Sequence, residues 1–284
     1  MWQILIVPLI VAAAPPQQQT DTTFSVDARG RLDVENRNGD VRVRSWDRNE
    51  VRIRARHGAR TEIDIESRGS VVSVEMEGAS RNAATHYDIT VPRAFGITVD
   101  VGNGSVELVD VGGDIEVEAL NGSITVTGGT GQIDVESLNG EITIDGARGN
   151  IQASTSNQGI RILRSSGDIS AETINGSIAL TDIESANVEA ESVNGAVDYA
   201  GAIEDGGRYE LASHNGDLTI TIPEGTNASV SVSTHNGSIQ TDFPVQVREI
   251  RSRRHLSFTL GNGSTRIELE SFGGSVRLRR PDSR

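Results

Sequence analysis

The side chains in this 284-residue chain with the types for acid–base or metal chemistry are carboxylates and five histidines. Carboxylates recur at alternate positions in Glu116/Glu118, Asp134/Glu136 and Glu189/Glu191. Carboxylates placed across a groove are what glycoside hydrolysis requires, and carboxylates stacked on one face suit divalent cations. His214 and His235 each precede an Asn-Gly pair, 21 residues apart, so stacked turns of a repeat would bring both within reach of one metal. His57, His86 and His255 have no ligand spacing. There is no Gly-x-Ser-x-Gly, no phosphate-binding loop and no His-Glu-x-x-His, and the absence of cysteine excludes disulfides and thiolate metal sites.

What must position these groups is a repeat. Its anchors are Asn103, Asn121, Asn139, Asn157, Asn175, Asn194, Asn215 and Asn236, each followed by Gly except at Asn157-Gln158-Gly159, with steps of 18, 18, 18, 18, 19, 21 and 21. Three residues after each anchor stands Val106, Ile124, Ile142, Ile160, Ile178, Val197, Leu218 or Ile239, and five after it a second, mostly apolar residue. Apolar residues two apart with polar ones between mark a strand with one buried face. A second such strand follows in each unit (Ile115/Val117, Ile133/Val135, Ile151/Ala153, Ile169/Ala171, Val188/Ala190), after a second glycine-containing bend.

A fixed period of about 18 residues with two short strands and two tight turns predicts one coil of a parallel β-solenoid. The expected fold is therefore all-β, a single-stranded parallel solenoid over residues 96–280 with less regular C-terminal coils, preceded by a β-rich N-terminal cap over 24–95. In this reading Gly permits positive φ at the corner, and the stacked Asn side chains bond coil to coil as a structural turn ladder. The cap covers an edge that would otherwise recruit other chains.

Residues 1–14 form an apolar run ending in Ala12-Ala-Ala14, read as a secretory signal, and 15–23 as a polar linker. The expected location is accordingly the periplasm, the cell envelope or the exterior, with membrane contact only through an uncleaved N-terminal segment.

Charge narrows the partners. All 26 basic residues are Arg, and residues 94–247 hold four of them against 23 carboxylates, a net of −19. That excludes a nucleic-acid groove, which needs a basic stripe. Carboxylates about 5 Å apart on adjacent coils would repel by about 0.8 kcal/mol per pair in water, which makes cation binding along the face the second alternative function. An outward Thr lattice of the kind ice binding needs begins at Thr125 and Thr143 but breaks at Arg161.

The opening Asn38-Gly-Asp-Val-Arg-Val43, followed by Leu120-Asn-Gly-Ser-Ile124, Leu138-Asn-Gly-Glu-Ile142 and Ile174-Asn-Gly-Ser-Ile178, resembles the bacterial "putative adhesin" family of β-strand-repeat domains over about residues 30–278. The resemblance implies an exported or cell-envelope protein with no catalytic residue and no cofactor to carry over. The expected function is non-enzymatic: an adhesin-like or scaffolding rod whose faces contact an envelope polymer or surface protein. The alternative is a carbohydrate-active β-helix lyase or hydrolase, which the near absence of insertions between Asn103 and Asn194 disfavours.

Overall fold

The computed structural model describes residues 17–77, 84–244, 249–252 and 255–281; the expected signal over 1–14 lies outside them. Every helix or strand among them is a strand, and the strands form two long, parallel-rich sheets of 13 and 14 members in an open, solenoid-like stack. Each repeat gives one strand to each sheet, as with Ile115–Asn121 in the larger and Ile124–Thr127 in the smaller.

Parallel pairing holds a constant register. Val106, Ile124, Ile142, Ile160, Ile178, Val197 and Leu218 form one continuous column. Ile97, Ile115, Ile133, Ile151, Ile169, Val188 and Tyr209 form its counterpart in the other sheet. All fourteen are buried. β-Branched side chains suit this arrangement because stacked copies interlock on the pleat with little rotamer freedom to lose.

The ends depart from sequential stacking. Arg31–Asn38 and Val41–Trp46 are flanked on one side by Val71–Glu77 and His86–Pro92 and on the other by Gly96–Asn103 and Val106–Val109. At the far end Thr265–Ser271 and Val276–Arg279 insert between Arg208–Ser213/Leu218–Thr221 and Ala228–Thr234/Ile239–Thr241. The expectation that 215 and 236 anchor successive coils is therefore corrected: a later segment lies between them. Its pattern, Ser271-Phe-Gly-Gly, lacks the anchor Asn and so escapes the repeat in sequence.

A second correction concerns residues 17–23 of the expected polar linker 15–23, whose first two residues lie outside the described ones. Gln17–Ser25 is a strand, paired antiparallel along its length with Glu50–Gly58, and Arg52 grips Asp21 with two bonds of 2.9 and 2.6 Å. Backbone pairing and an Arg–carboxylate fork hold this edge with few apolar residues, so its polar composition looked like a linker. The sheets end on this side in antiparallel strands, Glu62–Arg68 in one and Gln17–Ser25 in the other.

Each coil turns at two glycine-rich corners, and they use glycine differently. At the corner after the second sheet's strands, the stacked residues Asp110, Gly128, Gly146, Arg164 and Asp182 all have positive φ, from 46 to 77°. At the Asn corner, Gly140, Gly176, Gly195 and Gly216 are not in that region. A Cβ on Gly140 would instead be driven into the carbonyl oxygen of Gly122 one coil below. Close coil-to-coil approach, more than backbone freedom, selects glycine there.

Candidate functional site

The Asn corner gathers most of what the sequence singles out. Asn103 Nδ2 donates to Asn38 Oδ1 (3.0 Å), Asn121 to Asn103 (2.9 Å), Asn139 to Asn121 (2.8 Å) and Asn157 to Asn139 (2.7 Å). Asn175 donates to Asn157 (3.1 Å), Asn194 to Asn175 (2.9 Å) and Asn215 to Asn194 (2.9 Å). From Asn103 to Asn194 each amide gives its N–H to the coil before it and its carbonyl to the coil after it, so donor and acceptor are both used. Asn236 stands apart: the residue stacked on Asn215 is Gly273, whose amide donates to the His214 carbonyl. Asn38, not counted among the anchors in sequence, is the first member of the row among the described residues.

Directly inside runs a second row that sequence reasoning missed. Thr155, Thr173, Ser192, Ser213, Ser271 and Thr234 are buried, and their hydroxyls donate to the turn carbonyls of Gly140, Gln158, Gly176, Gly195, Gly216 and Gly274 at 2.8 to 3.1 Å. The available signal was a Ser or Thr two residues before the anchor from Asn139 onward. These bonds satisfy carbonyls that the tight turn leaves without ladder partners.

Just outside runs a column open to solvent. Backbone bonds place Leu120, Leu138, Ser156, Ile174, Val193, His214, Phe272 and His235 one above another. Leu120 (50% exposed), Leu138 (43%), Ile174 (50%), Val193 (38%) and Phe272 (45%) are the exposed large apolar residues among those described, and all five fall in this one column. His214 and His235 are not neighbours. Phe272 stacks between them, with ring centroids 4.8 and 4.7 Å away and planes within 6° of parallel. The shared metal that their spacing would have allowed is thereby excluded at this pair, because a phenyl ring fills the space where it would sit.

The outward carboxylates of the larger sheet stack in register. Glu118 pairs with Glu136, and Glu172 with Glu191; Ser154 and Ala212 interrupt the column. Glu118, Glu136, Glu172 and Glu191 make no ion pair among the described residues, whereas in the neighbouring column Glu210 and Glu268 are held by Arg208 and Arg266. The Arg266 guanidinium keeps the Glu268 carboxyl below its ordinary value. Among the described residues no group of three or more His, Asp and Glu is arranged to hold a metal ion.

A recess of about 540 Å³ lies on the smaller sheet, lined by Asp40, Arg42, Arg54, His86, Asp88 and Glu107 among others. Two of its charge pairs are closed, Arg42 to Glu107 at 2.7 Å and Arg54 to Asp88 at 2.8 Å, His86 Nδ1 accepts from the Asp40 amide at 3.2 Å, and Arg56 also lines the recess. The buried aromatics Tyr199 and Tyr209 meet edge to face in the core, their hydroxyls donating to the carbonyls of Ala202 and Ser185, and burial raises both phenols. They brace the longer loop near Ala202 and offer a ligand no face.

Comparison with solved structures finds a "putative adhesin" from Bacteroides fragilis, 11% identical, covering 93% of this chain and 98% of that one at a TM-score of 0.43. "Putative adhesin" structures from Parabacteroides distasonis (9% identity, 92% and 97% coverage, TM-score 0.42) and Parabacteroides merdae (11%, 92% and 96%, 0.38) are also similar. At these scores the likenesses carry no weight for function. No curated protein matches the chain. The family model for Toastrack, DUF4097, matches residues 29–279, and the chain belongs to that family of domains of unknown function.

Proposed function

We propose that this Toastrack protein is an exported, non-enzymatic rod that works by surface contact, adhesin-like or scaffolding, in the periplasm, the cell envelope or outside the cell. The observation that carries the reading is the unbroken parallel register from Ile97 to Tyr209, which sets outward side chains in straight columns and builds a long surface instead of a cleft. The placement of all five exposed large apolar residues in one column adds to it, since grouped exposed apolar residues mark contact sites.

In the same reading, coils of about 18 residues are the unit of the rod, residues 24–95 act as its N-terminal cap, and residues 1–14 direct export. The antiparallel strands at the N-terminal end support the cap, because a reversed strand cannot continue parallel stacking. The Asn row is structural: its side chains spend their bonds on each other.

Two measurements test this. Cell fractionation should find the mature chain outside the cytoplasm, and a polysaccharide turnover screen should find no cleavage. A cytoplasmic chain, or turnover of any one polymer above the no-protein control, sinks the reading and restores the carbohydrate-active alternative.

A further inference from the structure

The open column and its flanking glutamates have a partner chemistry. We infer that the edge from Leu120 to Val193 docks a basic amphipathic helix of a partner protein, its apolar side chains along the column and its Lys or Arg over Glu118, Glu136, Glu172 and Glu191. The inference rests on the surface-contact reading and names the face and the partner class.

Charge sets the sign. The column Glu118, Glu136, Glu172, Glu191 lies two residues before the apolar column in each strand and has no ion-pair partner among the described residues. With a net of −19 over residues 94–247, the rod repels anionic polymers and anionic membranes, and a second copy would bring the same glutamates to the contact.

Spacing sets the shape. Coils rise by about 4.8 Å, the separation of neighbouring strands. A helix presents a new apolar side chain about every 5.4 Å turn, whereas an extended chain repeats a face about every 6.7 Å. Over the four steps from Leu120 to Val193 the mismatch is about 2.4 Å for the helix and about 7.6 Å for the strand. Side-chain flexibility absorbs the first and not the second.

The face also has a receptacle. The coil between Leu138 and Ile174 carries Ser156 in the apolar column and Ser154 in the acidic one, and a hollow of about 310 Å³ opens there. Ile174 and Val193 wall it, with Glu136, Glu172 and Glu191 also lining it. One long cationic side chain fits this hollow, its methylenes on Ile174 and its charge among the carboxylates.

The test uses the full chain at low salt and a fluorescent 18-residue Leu/Lys amphipathic helical peptide, read by anisotropy. The Leu/Lys peptide should bind at least tenfold tighter than a Lys/Ser peptide of equal charge. Leu138→Ser/Ile174→Ser and, separately, Glu136→Gln/Glu172→Gln/Glu191→Gln should each weaken it at least tenfold, while Glu116→Gln/Glu189→Gln leaves it within twofold. Ser154→Arg, which fills the hollow from the rod's own side, should weaken it without removing any apolar residue, and decides the matter if the serine variant melts early. Equal binding of the Lys/Ser peptide, an unaffected serine variant that melts like the wild type, or binding of phosphatidylcholine vesicles in place of the peptide overturns the proposal. Envelope attachment that persists in the serine variant overturns the docking alone; a chain retained in the cytoplasm overturns the broader reading alone.

Discussion

The imidazole of His214 lies flat against the phenyl ring of Phe272, 4.8 Å between centroids, although 57 residues separate them in the chain. The contact exists because the segment ending in Arg279 returns to fill a place between two earlier coils. Phe272→Ala removes two ring stacks and should cost about 1–3 kcal/mol, read as a lowered urea midpoint. Zn²⁺ should leave the melting temperature of the wild type unchanged; a rise of several degrees would restore the metal reading of His214 and His235.

The amide row makes a directional prediction. Asn157→Asp keeps the acceptor for Asn175 and loses the donor to Asn139, so at neutral pH it should destabilise by about 1–2 kcal/mol. Lowering the pH enough to protonate the new carboxyl returns a donor and should narrow the gap to wild type. A constant gap across that titration would mean that the row contributes nothing through its bonds.

The two corners should respond differently to a methyl group. Gly140→Ala forces Cβ onto the Gly122 carbonyl and should cost about 3 kcal/mol or more. Gly146→Ala meets nothing within 4 Å and suffers only its positive φ of 71°, a cost of about 1 kcal/mol. Circular-dichroism melts of the two variants side by side check the order, and equal losses would contradict it.

Asp217 ties the returning segment in place, accepting from the Ser275 amide and from Arg277, both at 2.8 Å. The backbone bond from Ser275, then Arg277, holds its carboxyl below the ordinary value. A depressed folded-state value means stability that is present above the unfolded value of about 4 and lost as pH falls through the folded one. Asp217→Asn should therefore melt below wild type at pH 7 and converge with it as the pH falls through the depressed folded-state value.

Tyr87 is 2% exposed, its hydroxyl has no hydrogen-bond partner among the described residues, and burial pushes its phenol up to about 12. A raised value means stability that is intact below the unfolded value of about 10 and lost as pH climbs toward 12, by about 2–3 kcal/mol. Tyr87→Phe should be neutral or stabilising by about 1 kcal/mol at pH 7 and should flatten the alkaline loss. Spectrophotometric titration showing this phenol ionising near 10 in the folded chain would refute the assignment.

The columns of Ile124, Ile142 and Ile160 were legible because a strand with one buried face repeats every two residues and the coils hold register. The place of the Phe272 segment was not, since order in space is set by which edge is open when the segment arrives, and its corner reads Gly273-Gly274 where the anchors read Asn-Gly. The strand Gln17–Ser25 was hidden by polar composition, as edge strands commonly are. The open column was visible as Leu120, Leu138, Ile174 and Val193, and the two-residue alternation carries through the buried Ser and Thr row to set it outward, but the polar type of that row broke the apolar pattern from which its orientation would have been read.

The interleaved ends bear on how the rod is made. A ribosome completes the coil of Ala228–Thr234 before the segment Thr265–Ser271 that lies beneath it exists. Until Thr265–Ser271 emerges, Arg208–Ser213 keeps a bare edge and the later coil has no seat. Assembly therefore cannot run as a zipper from first residue to last, and whole coils can be gained or lost only in the interior, where each neighbour is also the next in line. Rod length is free to drift over generations while both ends stay locked.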